Sequence, residues 1–300
     1  MTADLETLRK KSILYFENVY KEYDTKLVLD NVDFAVSAGE LCSLVGPSGC
    51  GKSTLFRLIV GEERTTSGLI LVEGHPVGFP DTTRGIVYQR YPLYPFLSVL
   101  DNVLLGRRLS NNIVARMRHK KEFEEEAMYY LEEVKLAQDK DKFSGELSGG
   151  MQQRVAIAQA LIMKPKILLM DEPFSGLDQG VREHLQVFLL EIWEKFKLTI
   201  LFVTHNLTEA VYLGTRILVL SQHYTDDRGP DVMRGAKIVG DYQLERKAAS
   251  TAVKVTEEFN RLVQQIGHEG FDPLHLQHVK KFNLKHHDSF QTLTKEEDRG

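Results

Sequence analysis

A glycine-rich loop is the first segment of the chain whose residues could do chemistry. It lies between the strand-like run 40–45 and the helix-like run 53–59, and its spacing fits G-x-x-x-x-G-K-S. Glycines let backbone N–H groups turn toward one anion, and a following helix adds partial positive charge. The flanking strand and helix patterns argue against a glycine turn that merely caps a helix. We therefore predict a phosphate site with Lys52 as its cation and Ser53 as a Mg²⁺ ligand, formed by Gly46, Pro47, Ser48, Gly49, Cys50, Gly51, Lys52, Ser53 and Thr54.

Two carboxylates follow a second apolar strand. Residues 167–170 are Ile-Leu-Leu-Met, and Asp171 and Glu172 come directly after them. A buried strand has no packing reason to end in two acids, although a solvated strand end is the plain alternative. In phosphoryl-transfer sites such carboxylates hold Mg²⁺ or polarise the attacking water. We assign the first role to Asp171 and the second to Glu172.

The most specific motif is Leu-Ser-Gly-Gly-Met-Gln-Gln-Arg at residues 147–154. Its Ser-Gly-Gly opens a helix, so it is a second anion-binding helix end. It is followed by Met-Asp-Glu-Pro at 170–173, Ser-Gly-Leu-Asp at 175–178 and Thr-His at 204–205. This ordered set resembles the nucleotide-binding subunit of ABC transporters, over roughly residues 12–220.

The resemblance implies how ATP and Mg²⁺ bind. The loop of Lys52 in one chain and the helix start at Ser148 in a second chain would clamp the same triphosphate in a head-to-tail dimer. The second chain would contribute Ser148, Gly149, Gly150 and Gln152. The implied catalytic residues are Lys52, Gln89, Glu172 and His205, and the implied Mg²⁺ ligands are Ser53, Gln89 and Asp171.

The resemblance also implies roles for four individual residues, each by its position in a motif. Tyr23 matches the aromatic residue that stacks on adenine, with Tyr20 as the rival and a surface tyrosine as the plain alternative. Gln89 would meet Mg²⁺ and water and report the nucleotide state to the membrane partner. His205 would touch the γ-phosphate unless it is structural, and Asp178 would couple the two sites of the dimer unless it is a turn carboxylate.

Cys50 lies within the loop, close to a helix N-terminus, where a thiol can become more acidic. A small space-filling residue is the alternative, and it is the one we favour. If the thiol were reactive, alkylation would block ATP hydrolysis and ATP would protect.

The run 91–97, Tyr-Pro-Leu-Tyr-Pro-Phe-Leu, is unusually apolar for a loop and predicts a docking site. In the family this neighbourhood accepts a short cytoplasmic helix of the membrane subunit. Alternatively, these side chains pack the helical insertion onto the core.

The surrounding pattern predicts an α/β fold. Alternating strands and helices indicate a parallel sheet, short alternating strands before residue 45 an antiparallel part, and residues 99–159 a helical insertion. With the resemblance, the fold is a P-loop NTPase (RecA-like) core with an antiparallel β subdomain, an α-helical insertion and a mainly helical C-terminal appendage. We predict an ATPase domain at 12–240, with its helical subdomain at about 93–158, and a peripheral appendage or tail at 241–300.

Composition limits the function. The formal net charge of −4 offers no basic footprint for nucleic acid, and two cysteines imply a reducing compartment rather than a disulfide framework. No signal peptide and no apolar run of about 18 residues is visible, so the membrane segments would belong to partners. We expect a peripheral protein at the cytoplasmic face of the inner membrane.

Five histidines lie in the tail, and their irregular spacing without cysteine fits no dedicated zinc pattern. We expect them to be solvated. They are His268, His275, His278, His286 and His287.

The leading function is a transport motor, and the alternatives are a soluble ABC-type ATPase in DNA or ribosome maintenance and a sensor without turnover. Expected partners are an identical or paralogous ATPase subunit, transmembrane permeases and a periplasmic or extracellular solute-binding protein. Residues 91–103 and 146–161 most resemble ATPases of nitrate, sulfonate and taurine importers. Residues 218–227 resemble ATPases encoded near urea-carboxylase systems, which suggests urea- or guanidine-like solutes.

Overall fold

The computed structural model describes residues 5–89, 93–229, 232–244, 254 and 256–298. Its strands are β1 (Leu14–Tyr23), β2 (Lys26–Val36), β3 (Leu41–Val45), β4 (Ser67–Val72), β5 (His75–Pro76), β6 (Arg84–Val87), β7 (Ile167–Asp171), β8 (Thr199–Val203), β9 (Arg216–Ser221), β10 (Tyr224–Thr225), β11 (Lys237–Gln243), β12 (Gln277–His278) and β13 (Asn283–Leu284). Its α-helices are α1 (Leu5–Lys11), α2 (Lys52–Val60), α3 (Val99–Leu109), α4 (Ile113–Arg118), α5 (Lys120–Glu133), α6 (Gly149–Leu161), α7 (Gln179–Phe196), α8 (Leu207–Leu213) and α9 (Glu257–Phe271). Short 3₁₀ turns occur at Ala137–Asp139, Ser144–Glu146 and Val279–Lys281.

The chain divides into two compact units. The first consists of Met1–Asp81 and Lys197–Gly300, and the second is Thr82–Phe196. In the first unit, an antiparallel sheet has the order β2-β1-β4-β5. A second sheet has the order β13-β11-β9-β3-β8, in which β3 runs parallel to both β8 and β9. The predicted α/β fold with an antiparallel part is confirmed.

Strands β3 and β8 form a fully buried parallel pair in that sheet. Every residue of both strands is buried. This is typical of parallel strands that are covered on both faces of the sheet. Their register pairs Leu41 with Ile200 and Leu44 with Val203. The chain that leaves β3 and the chain that leaves β8 therefore start from the same edge of the sheet.

The second unit combines a parallel strand pair with helices. β6 pairs with β7, and α6 packs against β6. Helices α3, α5 and α6 pack on one another through buried side chains such as Val103, Leu131 and Ile157. These helices make up the helical region that the sequence predicted.

The described part of the tail packs within the first unit. Helix α9 contacts α8, β9 and β11, and β13 extends the sheet beside β11. Further on, Phe290 stacks on Tyr15 with ring centroids 5.3 Å apart, and Glu297 is fully buried. The division at residue 241 stays a prediction, but the expectation of a peripheral tail is wrong for these residues.

One of the five tail histidines is also not solvated. His286 is buried, and its Nε2 lies 3.2 Å from Glu40 Oε1. Its neighbours His287 and Asp288 bring ligand-type atoms close to it, within 4.8 Å of one another. Because Asp288 also donates its N–H to His286 Nδ1 and accepts from the Ser37 hydroxyl, His286 and Asp288 are engaged in packing the tail. His287 is exposed.

Candidate functional site

The glycine-rich loop joins β3 to α2 in the first unit. A Cβ on Gly46 would lie 2.0 Å from the Leu220 carbonyl oxygen, so only glycine fits there. Gly51 stands before α2 with φ +105°, a conformation that favours glycine, and none of the described side chains caps the helix start. The first-turn N–H groups of α2 are therefore donors for an anion.

Lys52 places its ammonium group on the loop. The side chain is buried, and Nζ donates to the carbonyl oxygens of Gly46 at 2.7 Å and Pro47 at 2.9 Å. Ser48, Gly49 and Ser53 are exposed beside it. A loop of N–H donors with an ammonium group suits a phosphate chain, since phosphate oxygens are acceptors. The residues thus fit the nucleotide that the motif predicts.

The surroundings of Cys50 favour a space-filling role over a reactive thiol. Its side chain is 1% exposed, and burial raises the pKa of the thiol despite the nearby Lys52 ammonium group. A thiolate is the reactive form of cysteine, so the structure argues against a reactive thiol at neutral pH.

The two candidate tyrosines have different surroundings. Tyr23, at the end of β1, is 37% exposed, donates its hydroxyl to Glu63 and has Lys21 Nζ 4.6 Å from its ring centroid. Burial raises the pKa of Tyr20, and so do the carboxylates of Glu297 and Asp30. Tyr20 therefore faces the tail, whereas the ring of Tyr23 is accessible.

His205 follows β8, next to the loop's own strand. It is exposed and lies two residues beyond Val203, which pairs with Leu44 near the end of β3. Thr204 donates its hydroxyl to Glu209 at 3.0 Å, which fixes the turn before α8. The sheet therefore places His205 at the edge from which the glycine-rich loop also leaves.

In the second unit, β7 delivers the two carboxylates. Met170 is fully buried, and Asp171 and Glu172 are half-buried at the strand end. Glu172 has φ +43°, a left-handed conformation that is unusual for glutamate. Its carbonyl oxygen accepts from the N–H of Ser175 at 3.0 Å. Such backbone conformations are concentrated at functional sites, where the surroundings enforce them.

Gln89 and Asp178 contact the same segment of the second unit. The Gln89 amide donates to Ser175 Oγ at 3.1 Å, and Asp178 Oδ1 accepts from the Val181 N–H at 3.0 Å at the start of α7. Ser175 thus links Gln89 to the chain that follows Glu172. Sequence reasoning missed Ser175 as the partner of Gln89, although it lies in a quoted motif.

The second anion-binding motif begins α6. Ser148 is the N-cap and is exposed together with Gly149, and its Oγ accepts from the Met151 N–H at 3.3 Å. A Cβ on Gly150 would lie 2.8 Å from Val181 Cγ1, so glycine allows the helix start to pack closely there.

Gln152 has a local role. Its amide donates to the carbonyl oxygens of Ser144 at 2.9 Å and Leu147 at 3.3 Å, which holds the turn before α6. Its contact with nucleotide stays a prediction.

The predicted docking run is only partly described. Tyr91 and Pro92 lie outside the described residues, while Tyr94 and Phe96 are 45% and 71% exposed and lie edge to face. Exposure of two aromatic rings agrees with docking better than with internal packing. The docking role stays a prediction.

Comparison with known proteins gives a consistent result. Residues 29–175 match the family model described as ABC transporter. An aliphatic sulfonates import ATP-binding protein of Bacillus anthracis is 39% identical over 221 residues, 74% of this chain and 82% of that protein. A nitrate import ATP-binding protein of Synechocystis sp. is 44% identical over 195 residues, 65% of this chain and 71% of that protein. The solved structure of CbiO1 from Clostridium perfringens, part of the ABC transporter complex CbiONQ, is 25% identical with a TM-score of 0.67, covering 86% of this chain and 98% of that one.

The fold and the glycine-rich loop define a P-loop nucleotide-binding ATPase. The chain belongs to the ABC transporter family, as an ATP-binding subunit that hydrolyses ATP. The resemblance seen in the sequence is confirmed, and a soluble role in DNA or ribosome maintenance is not favoured. Among the residues that the structure describes, no helix combines the length and apolar character needed to cross a membrane.

Proposed function

We propose that this chain powers the import of a small solute through partner membrane subunits. The main support is the loop before α2. In this loop only glycine fits at position 46, against the Leu220 carbonyl oxygen, and the ammonium group of Lys52 is buried. The relatives named for sulfonate and nitrate import support the direction of transport. They also favour small oxyanions over the urea- or guanidine-like alternative.

Each site residue keeps the role proposed from its motif. The Lys52 ammonium group neutralises the outer phosphates, and Glu172 accepts a proton from the attacking water. Ser53, Gln89 and Asp171 are oxygen donors of the kind that Mg²⁺ prefers, and bound Mg²⁺ would neutralise phosphate charge. His205 acts on the terminal phosphate.

Two chains form the working unit in this proposal. Ser148 and Gly149 lie exposed at the start of α6, and this helix end suits the triphosphate held by the loop of a second chain. Bound ATP then contributes to the interface, and hydrolysis weakens it. Asp178, exposed at the start of α7, is placed to sense the partner chain.

The membrane partners are permease subunits on whose cytoplasmic side this chain binds, together with a solute-binding protein outside. Exposed Phe96 and Tyr94 support a docking contact for a permease segment. The solute is recognised by those partners, because the ATPase subunit does not meet it.

Steady-state ATP hydrolysis tests the proposed roles. Wild type should hydrolyse ATP only with Mg²⁺, Lys52→Ala should abolish nucleotide binding and turnover, and Glu172→Gln should bind ATP and accumulate a dimer. Glu257→Gln, at an exposed carboxylate of α9, is the matched control and should behave as wild type. Equal hydrolysis by wild type and Glu172→Gln would exclude Glu172 as the base.

Reconstitution with permease subunits tests the solute class. ATP hydrolysis in proteoliposomes should rise when a solute-binding protein loaded with a sulfonate or nitrate is added. Stimulation by urea or guanidine alone would reject the oxyanion assignment while leaving the ATPase role intact.

A further inference from the structure

An exposed apolar ridge occurs at α4 in the second unit. Leu109, Ile113, Val114 and Met117 are 68%, 72%, 74% and 78% exposed. Successive residues of a helix are about 100° apart, so Ile113, Val114 and Met117 point from one face of α4. Large apolar side chains this exposed and this close together mark an interaction surface.

The same segment is basic. Residues 102–121 contain six arginines and lysines and no aspartate or glutamate. The six are Arg107, Arg108, Arg116, Arg118, Lys120 and Lys121. By the helical spacing, Arg116 and Arg118 flank the apolar face on opposite sides. We call residues 109–121 the basic arm.

Nearby carboxylates neutralise only part of this charge. Arg107 pairs with Glu126, Arg108 with Asp101, and Lys120 lies 3.8 Å from Glu124. Arg116 and Arg118 of α4, by contrast, pair with no carboxylate in the described part of the chain. They remain available to bind phosphate oxygens.

Polar contacts fix the arm without burying its apolar face. Asn112 is the N-cap of α4 and accepts from the Ala115 N–H at 2.8 Å, and Arg116 Nε donates to the Asn111 carbonyl oxygen at 2.8 Å. No residue of α4 is buried. The apolar residues therefore do not form the core that holds the helix, and their exposure needs another reason.

We propose that the basic arm binds an anionic lipid surface. Its apolar side chains would enter the headgroup boundary, with Arg116 and Arg118 on lipid phosphates at either side. A short helix with one apolar face, basic flanks and no acidic residue has the composition of an interfacial membrane segment. This charge complementarity favours anionic lipid over a protein groove, and the role is independent of ATP hydrolysis.

Sedimentation of the full-length chain with vesicles, without nucleotide or permease, tests the proposal. Wild type should bind vesicles that contain phosphatidylglycerol, bind phosphatidylcholine vesicles far less, and dissociate at high salt. Each surface arginine contributes about fivefold to binding, so Arg116→Gln with Arg118→Gln should weaken it by about 25-fold. Ile113→Ser with Met117→Ser should weaken it by at least about tenfold, because the apolar contact is lost.

Matched substitutions outside the arm serve as controls. Leu274→Ser removes an apolar side chain that is 93% exposed, and Arg261→Gln removes an exposed arginine of α9. Both should bind as wild type, and all variants should keep ATP hydrolysis.

Equal binding to both kinds of vesicle, or unchanged binding of the arm variants, would overturn the proposal. A second outcome would also overturn it. If wild type binds no vesicles and the arm variants no longer associate with the permease, the arm binds a protein partner instead of lipid. The ATPase role is measured separately, so failure of one proposal does not imply failure of the other.

Discussion

Replacing Lys237 by methionine should destabilise the first unit through the tail. Lys237 Nζ lies 2.7 Å from Glu297 Oε1, and the two side chains are 2% and 1% exposed. Removing the lysine leaves a buried carboxylate without its cation, which costs about 3–5 kcal/mol in free energy of unfolding. Arg228 Nη2 lies 3.9 Å from the same carboxylate, so we expect the lower end, about 3 kcal/mol.

The effect has a defined pH dependence. Burial raises the pKa of Glu297, but Lys237 and hydrogen bonds from Thr294 lower it more, so the pKa lies below its usual value. A carboxyl group with a lowered folded-state pKa stabilises the fold above its unfolded pKa, and that stability is lost as pH falls through the folded value. The difference between wild type and Lys237→Met should therefore shrink in acid.

Urea unfolding followed by circular dichroism measures this effect. Lys280→Met is the matched control, because Lys280 Nζ lies 2.7 Å from Asp298 in an exposed pair. Exposed pairs contribute little, so this variant should unfold almost as wild type does. An equal loss of stability in Lys237→Met and Lys280→Met would show that the buried pair contributes no more than the exposed one.

Three further predictions concern the nucleotide site. Gly46→Ala should weaken nucleotide binding by at least about tenfold, because the added Cβ would collide with the Leu220 carbonyl oxygen; unchanged affinity in a titration would contradict it. Tyr23→Ala should raise the KM for ATP by about 5- to 100-fold through lost stacking, while Tyr23→Phe and Tyr20→Phe should not. Because the pKa of Cys50 is raised, its thiol should react with Ellman's reagent slowly at neutral pH and faster as pH rises, and a rate equal to that of unfolded protein would refute this.

The phosphate loop could be predicted from sequence because its requirements are local. Glycines at 46 and 51, a lysine and a helix start lie within a few residues, and each has its own stereochemical reason. The left-handed backbone of Glu172 could not be predicted, because glutamate is not a residue type that signals this conformation.

The tail shows where sequence reasoning fails. Its low apolar density predicted a solvated appendage, yet Glu297 is buried against Lys237 and Phe290 stacks on Tyr15. These contacts join residues far apart in the chain, and the burial of a charge depends on partners that only the fold brings together. The local role of Gln152 could not be predicted either, because its hydrogen-bond partners are backbone carbonyl oxygens that no motif identifies.

Cross-linking between two chains tests whether they hold one ATP between them. One chain would carry Ser48→Cys and the other Ser148→Cys, both in the Glu172→Gln background; the native Cys42 and Cys50 are buried and should give little background. If one ATP is held by the loop of one chain and the α6 start of its partner, a disulfide-linked dimer should form with Mg²⁺ and ATP and not without nucleotide. Absence of that ATP-dependent dimer, while wild type hydrolyses ATP normally, would contradict ATP binding between the loop of one chain and the α6 start of the other.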